Sequence, residues 1–408
     1  MLHSPVTADL ALMRELNQAL ILNLVRQEGY ISRAEIAKRT NLSRSTVSNI
    51  INELIEAERV QEVEKGQSRG GRRPIILRIN YRSHCVIGVE LATTFVNVIV
   101  TDLNADVLYE CREPFDIAVG PDAATAHVAG MVDRALATVG VERSRVAGVG
   151  IGIPGPIAYA TGKTIVPPIM PGWSGVSLRD RFRDALHLPV RVDNDANLGA
   201  LAEHCWGAAQ NVRNVAYLYL GTTGIGAGLI LEGAIYRGEI GSAGEIGHTT
   251  IDEHGPRCSC GSYGCLESLA GLPWILRRAE TLSGKARSLD ELIYAVEHGD
   301  EAVRAVFVDA ARHLGVAVAS LLNLYNPGLV VLGGQLAAAG NLLLDTVRTT
   351  AQTRALPITL EHCDIVTGTL GDNDVALGAA SDIIQQVFSP PTLDSLIGQP
   401  APASVSLS

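Results

Sequence analysis

Apolar and polar positions near the start of the chain repeat at helical spacing. From Met13 to Gln27 apolar residues recur every three or four positions, which predicts an amphipathic helix that ends at Gly29. Ser32 followed three residues later by Glu35 is typical of a capping box, so a second, short helix is expected over 33–39. The chain therefore begins with two helices.

A third helix and two strands follow. Ser43 is the predicted cap of a helix that runs to about Ala57, and its core-facing positions are Val47, Ile50, Ile51 and Leu54. Alternating apolar positions over 60–65 and again over 75–79 predict a pair of short strands. Three helices with a two-stranded hairpin is the pattern of a winged helix-turn-helix.

The polar residues of this region are those expected at a DNA interface. The exposed first turns of the third helix and the loop between the two strands hold small hydrogen-bonding side chains and arginines, which suit the major groove and the minor groove respectively. The predicted DNA contacts are Arg44, Ser45, Thr46, Ser48, Asn49, Arg69, Arg72 and Arg73. The alternatives are an ordinary three-helix bundle with a polar surface and a solvated Gly/Arg linker.

After about residue 81 the pattern changes to buried strands separated by glycine-rich turns. Strands are predicted over 85–89, 96–102 and 146–151, and polar residues continue beyond a strand at 190–192. The stretch Gly221–Gly228 is predicted as a turn between two strands. The dinucleotide fingerprint requires a following helix, so this stretch does not satisfy it.

Composition limits the class of protein. The 408 residues are 47% hydrophobic and 19% charged, which is typical of a globular chain of two or three domains. The net charge of −10 is unevenly placed, with +3 over residues 1–80 and −13 over the remainder, as expected when only the N-terminal region meets DNA. With neither a membrane span nor a signal peptide recognised in the sequence, a cytoplasmic protein is expected.

Three cysteines and one histidine cluster in a loop that is rich in glycine. His248, Cys258, Cys260 and Cys265 supply the four nitrogen and sulfur ligands of a closed tetrahedral zinc site, whose role would be structural. The alternative is a core histidine beside small buried cysteines. Cysteines that bind metal also fit a reducing compartment.

Polar side chains also gather after the strand at 190–192. Asn194 and Asp195 follow its carboxyl end, where open α/β sheets bind ligands, although a capping role at a helix start explains them equally well. Glu245 and Glu267 flank the predicted zinc loop, and their carboxylates can accept hydrogen bonds from the hydroxyls of a polar ligand. Two such clusters favour ligand binding.

The pattern H-x9-C-x-C-G-x-x-G-C-x-E, which begins at His248, resembles the signature of the ROK family of sugar kinases and sugar-responsive repressors. The resemblance extends over nearly the whole chain. It implies an α/β chain with a two-lobed actin-like, hexokinase-like domain, with lobes near 81–193 and 194–388 after a DNA-binding domain at 1–80. It also implies zinc at the His/Cys set and a sugar held by Asn194, Asp195, Glu245, His248 and Glu267.

One departure from the family's kinases bears on activity. Those kinases carry Asp-x-Gly-Gly-Thr after the first strand, whereas this chain has Glu90 and Ala92 in that turn. Asp195 matches the kinases' catalytic base and is expected to be vestigial. We therefore expect a regulator, most simply a repressor, and no catalysis. An active sugar kinase with a DNA-binding head and a constitutive DNA-binding protein with a vestigial pocket are the alternatives.

The remaining expectations concern assembly and the C-terminus. A homodimer or homotetramer is expected, and a two-fold dimer predicts a palindromic operator of double-stranded DNA. The effector is expected to be a sugar or a sugar phosphate. The Pro/Ser-rich segment 389–408 is predicted to be a disordered tail.

Overall fold

A computed structural model describes residues 10–65, 75–165, 170 and 172–389. Contacts divide the chain into two compact units, Met1–His84 together with Ile384–Ser408, and Cys85–Ile383. Residues 384–388 were predicted to belong to the second lobe, whereas the structure groups them with the N-terminal unit. The predicted wing loop, with Arg69, Arg72 and Arg73, and the predicted tail at 390–408 lie outside the described residues.

The N-terminal unit has the predicted winged helix-turn-helix elements. They are α1 (Leu10–Glu28), β1 (Ile31–Ser32), α2 (Arg33–Thr40), α3 (Arg44–Glu56), β2 (Val60–Lys65) and β3 (Ile75–Ile79). The strands form an antiparallel sheet in the order β1-β3-β2. Strand β1 was not predicted, because two residues are too few to show an alternating pattern.

Local hydrogen bonds define the starts of α2 and α3. The Ser32 hydroxyl accepts from the Glu35 amide at 3.3 Å, and the Ser43 hydroxyl accepts from the Thr46 amide at 3.0 Å. Between the helices, Asn41 adopts the left-handed conformation with φ of 59°, which Asn tolerates better than most residues. The helix-turn-helix geometry is therefore determined by side chains close in sequence.

The first lobe of the second unit is built around a five-stranded mixed sheet. Its elements are β4 (Cys85–Leu91), β5 (Phe95–Asp102), β6 (Val107–Pro114), α4 (Pro121–Val139), β7 (Val146–Ile153), β8 (Ile157–Ala158), β9 (Lys163–Thr164), α5 (Leu178–Leu186) and β10 (Val190–Asn194). The strand order is β10-β7-β4-β5-β6, in which β10, β7 and β4 are parallel. One hydrophobic core joins this sheet to α4 and α5.

The second lobe has its own five-stranded sheet and most of the helices. Its elements are α6 (Asp195–Trp206), β11 (Val215–Leu220), β12 (Ile225–Leu231), β13 (Ala234–Ile235), α7 (Leu266–Ala270), α8 (Leu272–Ser283), α9 (Leu289–Glu297), α10 (Glu301–Tyr325), β14 (Leu329–Gly333), α11 (Asn341–Gln352), α12 (Pro357–Leu360), β15 (Asp364–Thr367) and α13 (Asp374–Phe388). The strand order is β13-β12-β11-β14-β15.

Helix α10 meets a length-and-composition criterion for a membrane span, which the sequence analysis did not register. Its apolar residues, such as Phe307 and Leu314, belong to the core of the second lobe, and 56% of its most apolar window is buried. The core helix of a folded domain shows this pattern equally well, so its hydrophobicity is accounted for by packing.

The predicted glycine turn at Gly221–Gly228 is shorter than expected. Strand β12 begins at Ile225, which pairs with Leu220, so the turn is confined to residues 221–224. Glycine continues inside the strand because α6 packs directly on it. A Cβ atom at Gly228 would lie 2.2 Å from the carbonyl oxygen of Ala196. The glycines beyond the turn therefore serve helix–sheet contact.

Helices α6 and α13 lie between the two sheets in close backbone contact. A Cβ at Gly88 of β4 would lie 2.0 Å from the Ala376 carbonyl of α13, and one at Gly378 of α13 would lie 1.8 Å from the Leu198 carbonyl of α6. Side chains are excluded at these crossings. The two helices therefore pack tightly between the lobes. Helix α13 continues into residues that are grouped with the N-terminal unit.

Candidate functional site

A cleft of the second unit is lined by residues from both lobes. The turn after β4, the segment after β7, the start of α6, the 221–224 turn and the loop before α7 all contribute. The lining residues are Ala92, Thr93, Pro154, Gly155, Pro156, Asn194, Asp195, Tyr219, Gly221, Thr222, Thr223, Gly224, Ile225, Gly226, Ala243, Gly244, Glu245, His248 and Glu267. All five predicted ligand-binding residues line this one cleft.

Asn194 and Asp195 are held by the start of α6. Asn194 is the N-cap, and its side-chain oxygen accepts from the Asn197 amide at 3.2 Å while its side-chain nitrogen donates to the Gly155 carbonyl. Asp195 is the first helical residue, and its carboxylate accepts from the Ala196 amide at 2.8 Å. The capping explanation and the ligand explanation are compatible, because Asn194 caps the helix and both side chains line the cleft.

The cleft concentrates carboxyl groups. Burial is the main reason that the pKa of Asp195 is raised to about 7; the Ala196 hydrogen bond opposes the shift, and the nearby Glu245 and Asp374 carboxylates add to it. Burial also raises the pKa values of Glu245 and Glu267, which His248 lowers. The Glu267 carboxylate accepts from the Ile225 amide at 3.3 Å, which ties the first turn of α7 to the start of β12. The arrangement offers hydrogen-bond acceptors to a ligand.

An ion pair between Arg237 and the buried Asp193, the residue before Asn194, was not predicted from sequence. Arg237 donates to the Asp193 carboxylate from two nitrogens at 2.9 and 2.7 Å, and Asp193 is 2% exposed. The same guanidinium lies 3.6 Å from the ring centroid of Tyr159. The motif around Asp193 was visible in sequence, but its cation comes from 44 residues away. No local signal could have identified that partner.

The predicted metal ligands meet at one point. One ligand atom from each of His248, Cys258, Cys260 and Cys265 lies within 4.8 Å of every other. His248 Nδ1 is 3.6 Å from Cys258 Sγ, and Cys260 Sγ is 3.7 Å from Cys265 Sγ. A tetrahedral zinc ion separates sulfur from nitrogen by about 3.6 Å and two sulfurs by about 3.8 Å. The donor set and its spacing therefore fit zinc.

The two ring nitrogens of His248 face different partners. Nδ1 lies toward the cysteines, whereas Nε2 is 4.0 Å from a carboxylate oxygen of Glu245 in the cleft. The predicted double assignment of His248 is thus geometrically consistent, because one nitrogen serves each role. A metal-binding imidazole commonly has a carboxylate facing its other nitrogen.

Glu90 was expected in the turn after the first strand of the ROK-like domain, whereas the structure places it within β4, with Ala92 just after the strand. Glu90 is 2% exposed and accepts a hydrogen bond from the Tyr219 hydroxyl at 2.8 Å, and its second oxygen is unpaired within the part of the chain that is described. Burial, followed by the nearby Asp374, raises the pKa of Glu90 well above its usual range. A buried carboxyl that favours its neutral form is poorly suited to hold a cation.

Threonine hydroxyls connect the two lobes at the same end of the cleft. Thr93 Oγ1 lies 3.2 Å from Thr222 Oγ1 and 3.1 Å from Thr223 Oγ1. Thr93 follows β4 in the first lobe, whereas the other two form the hairpin turn of the second lobe. These contacts were not predicted, because threonine in a turn carries no signal of a distant partner.

In the N-terminal unit, the predicted DNA-contacting residues occupy the first turns of α3. Arg44, Ser45 and Asn49 are exposed, and Thr46 and Ser48 are half-buried. The Ser43 hydroxyl hydrogen-bonds both the Ser45 and the Thr46 hydroxyls at 2.8 Å. An exposed helix start with small polar groups and an arginine fits the entry of a recognition helix into the major groove.

Comparison with known proteins gives matches over both units. Residues 86–386 match the model of the ROK family, and residues 15–61 match a winged helix-turn-helix DNA-binding model. The chain is 31% identical to the xylose repressor of Caldicellulosiruptor bescii, over 93% of this chain and 98% of that protein.

Two further matches have DNA-binding functions in their names or descriptions. The chain is 31% identical to the transcriptional dual regulator NagC of Escherichia coli, over 90% of this chain and 92% of that protein. A solved ROK family transcriptional regulator, described as a homologue of the E. coli Mlc protein, superimposes with a TM-score of 0.78 at 26% identity. It covers 92% of this chain and 96% of its own. Each of these three matches extends over both the N-terminal unit and the second unit.

Proposed function

The chain belongs to the ROK family, and we propose that it is a transcriptional repressor of carbohydrate-metabolism genes whose operator affinity changes when a sugar or sugar phosphate binds. The observation that carries this proposal is the presence of two binding surfaces in one chain. One is the exposed start of α3, and the other is the acceptor-lined cleft at Asp195. A molecule that binds in the cleft can alter DNA binding only if the two are energetically linked.

The proposed sugar contacts are those that line the cleft. The carboxylates of Asp195, Glu245 and Glu267 accept hydrogen bonds from hydroxyl groups, while Asn194 and the Nε2 side of His248 supply further polar contacts. Several acceptors facing one small cleft match the chemistry of a polyol. The xylose repressor above and an N-acetylglucosamine repressor of Escherichia coli O6:H1 are each 31% identical to this chain, so identity alone does not select the effector.

Zinc is the metal that the four ligands would hold. Bound there by His248, Cys258, Cys260 and Cys265, it supplies a rigid structural link and no chemistry. The protein's own residues would use this link to position two cleft carboxylates. The loop carries Glu245 at one end and Glu267 at the other, so cross-linking its middle limits how far these two carboxylates move. This is the role that we propose for the site.

Helix α13 is the proposed route of coupling. It begins at the buried Asp374, whose carboxylate accepts from the Tyr217 hydroxyl, and packs by backbone contact against both β4 and α6. Its last residues, from Ile384, belong to the N-terminal unit. A ligand that prefers one lobe arrangement by a few kcal/mol would shift the operator affinity by the corresponding factor.

Repression without catalysis is proposed because the end of β4 and the residue after it depart from the sequence pattern of the family's kinases, at Glu90 and Ala92. The Glu90 carboxyl hydrogen-bonds Tyr219 and favours its neutral form, which removes an anionic ligand for magnesium. The 221–224 hairpin and Asp195 nevertheless favour an active sugar kinase as a second candidate. Coupled ATP hydrolysis distinguishes them, since a kinase would turn over at about 1–100 s⁻¹ with its sugar.

Several finer features belong to the same proposal. Arg44, Ser45, Thr46, Ser48 and Asn49 would contact the major groove, and the wing arginines at 69, 72 and 73 the minor groove. A homodimer or homotetramer would read a palindromic operator in the cytoplasm. The domain limits at 80, 193 and 388 remain part of this proposal.

The test is operator binding by the full-length, zinc-loaded protein at fixed salt, with and without sugars and their phosphates. A change of at least about tenfold, or 1.4 kcal/mol, with one compound is the expected result. Tight operator binding that no compound alters, together with no thermal stabilisation by any of them, would contradict sugar sensing and leave a constitutive DNA-binding protein.

A further inference from the structure

In the N-terminal unit, an arginine side chain links the recognition helix to the strands of the wing. Arg33 is the first residue of α2 and directly follows Ser32 of β1. Its Nη1 donates to the Asn52 side-chain oxygen at 2.9 Å and to the Ser48 carbonyl at 3.4 Å, both on α3. Its Nη2 donates to the Glu62 carboxylate on β2 at 3.0 Å. One guanidinium therefore contacts both elements that are proposed to meet DNA.

The sheet determines how far this side chain must reach. Ile31 of β1 pairs with Leu77 of β3, and Leu77 pairs in turn with Glu62 of β2, so the three residues form one row across the sheet. Strands two places apart in a sheet are separated by about 10 Å. Arg33 lies two residues beyond this row on the β1 side, and its long side chain spans the distance. A short side chain at position 33 would not reach Glu62.

On α3 the contacts lie along the face that is proposed to read DNA. Ser45, Ser48 and Asn52 follow one another at intervals of three and four residues, so they share one face of the helix. Ser45 and Ser48 are proposed contacts in the major groove, and Asn52 is exposed one turn further along. The guanidinium of Arg33 is thus anchored at the reading face and not at the apolar side of α3 that packs into the core.

These contacts are expected to add little to the stability of the fold. The Arg33 side chain is 28% exposed and that of Glu62 is 41% exposed, and solvent screens ion pairs at such positions. The core beneath them, which includes Ile36, Ile51 and Leu77, is fully buried without either charged group. The link therefore affects the relative placement of α3 and β2 more than it affects folding.

We propose that Arg33 is a positioning residue for DNA recognition, which fixes the angle between α3 and the wing strands. This role rests on the proposed function, because it requires that α3 and the wing contact one operator. Side chains that read base edges must be held to within about 0.5 Å and 10–20° of their bonding geometry. A link between the two elements orders them before DNA binds, so less ordering remains on the operator. Arg33 acts through α3 and Glu62, and not through a contact of its own with DNA.

The test uses the full-length protein, an operator duplex selected from random DNA with the wild type, and a scrambled duplex of equal length. Arg33→Lys keeps the charge but replaces a planar group with two contacting nitrogens by a single nitrogen. We expect operator affinity to fall by about fivefold or more, with scrambled-DNA affinity within about twofold and the melting temperature within about 2 °C of the wild type. The slope of operator affinity against salt should be unchanged, since no phosphate contact is lost.

The chain offers a matched control on the same helix. Arg39 pairs with Glu28 and Glu35, which lie on α1 and α2, so Arg39→Lys makes the same chemical change away from α3 and the wing. We expect Arg39→Lys to bind both duplexes as the wild type does.

A second variant tests whether Arg33 works through Glu62. Glu62→Ala removes a negative charge, which by itself favours all DNA binding, so the informative quantity is the ratio of operator affinity to scrambled-DNA affinity. We expect this ratio to fall. The double variant with Arg33→Lys should lower the ratio little further than Arg33→Lys alone, because both changes break the same link.

The outcomes separate this role from the function beneath it. Wild-type operator affinity in Arg33→Lys, or additive losses in the double variant, would overturn the positioning role. So would an equal loss on both duplexes with a smaller salt slope, which would mean that Arg33 contacts phosphate, or a loss that accompanies a lower melting temperature. If Arg44→Ala and Asn49→Ala also leave operator binding unchanged, the proposed recognition helix itself is wrong.

Discussion

The phenol of Tyr219 donates a 2.8 Å hydrogen bond to the carboxyl of Glu90, and both side chains are almost completely buried. Glu90 is the next-to-last residue of the buried strand β4, at the position where the sequence departs from the pattern of the family's kinases. The pair fills this position with a self-contained contact. This buried hydrogen bond is therefore expected to contribute to the stability of the second unit.

Replacing that tyrosine tests the contact. Tyr219→Phe leaves both Glu90 oxygens without a partner in a buried position, so we expect the free energy of unfolding to fall by about 1–3 kcal/mol. Urea unfolding measures the change. The control Tyr236→Phe removes the hydroxyl of a half-exposed tyrosine and should cost much less. Equal losses for the two variants would contradict the importance of the buried pair.

The buried carboxyls predict how stability depends on pH. Burial raises the pKa of Asp195 to about 7 and that of Asp374 to about 6, from an ordinary value of 3.8. The native protein thus holds more protons than the unfolded chain between about pH 4 and 7, and these groups lower the free energy of unfolding as pH rises through that window.

Asp195→Asn removes one of these titrations. Relative to the wild type, we expect the variant's free energy of unfolding to be higher at pH 8 than at pH 5, by on the order of a few kcal/mol. Its melting temperature should rise relative to the wild type in the same direction. Differential scanning calorimetry at the two pH values provides the measurement. Asp309→Asn, at an exposed position on α10, serves as the control and should show no such difference.

Removal of the metal ligands should uncouple the effector from DNA. Cys258→Ser combined with Cys265→Ser is expected to lose zinc and the sugar-dependent change in operator affinity, because Glu245 and Glu267 lose their cross-link. The winged helix-turn-helix does not use the site, so operator binding without sugar should persist. Metal content and fluorescence anisotropy check both points, with Cys363→Ser, a cysteine outside the cluster, as the control.

The recognition helix predicts the effect of two surface changes. Arg44→Ala and Asn49→Ala alter exposed side chains at the start of α3 and should each weaken operator binding by about 1–3 kcal/mol without lowering the melting temperature. Arg312→Ala removes an equal charge from α10 and should leave operator affinity unchanged. A similar loss from Arg44→Ala and Arg312→Ala would mean that net charge, and not the position on α3, determines binding.

The end of the last helix predicts a distant effect on the N-terminal unit. Phe388 is 2% exposed, its carbonyl accepts from the Asn23 side chain, and its ring lies 4.4 Å from the Arg26 guanidinium. Phe388→Ala should destabilise this unit by about 3–5 kcal/mol and weaken operator binding. Gln386→Ala, at an exposed position of the same helix, is the control, and operator titration with thermal unfolding measures both effects.

Much of the local structure of this protein, and most of its candidate site residues, could be predicted from residues that are near one another in sequence. Ser43 and the apolar spacing that follows it predict α3, and the stretch from Glu245 to Glu267 predicts the metal ligands and two cleft carboxylates. Caps, turns and helical periodicity are set by contacts over a few residues, so the sequence contains them directly. The five proposed sugar contacts could be identified this way, because each belongs to a short motif.

The tertiary structure alone decided which distant groups meet. It paired Arg237 with Asp193, Thr93 with the 221–224 turn, and Phe388 with Asn23 across 365 positions. It also converted half of the glycine turn into strand, because α6 packs on the backbone there. These contacts depend on how sheets and helices pack in three dimensions, and that packing is set by the sum of many weak interactions and not by any one motif.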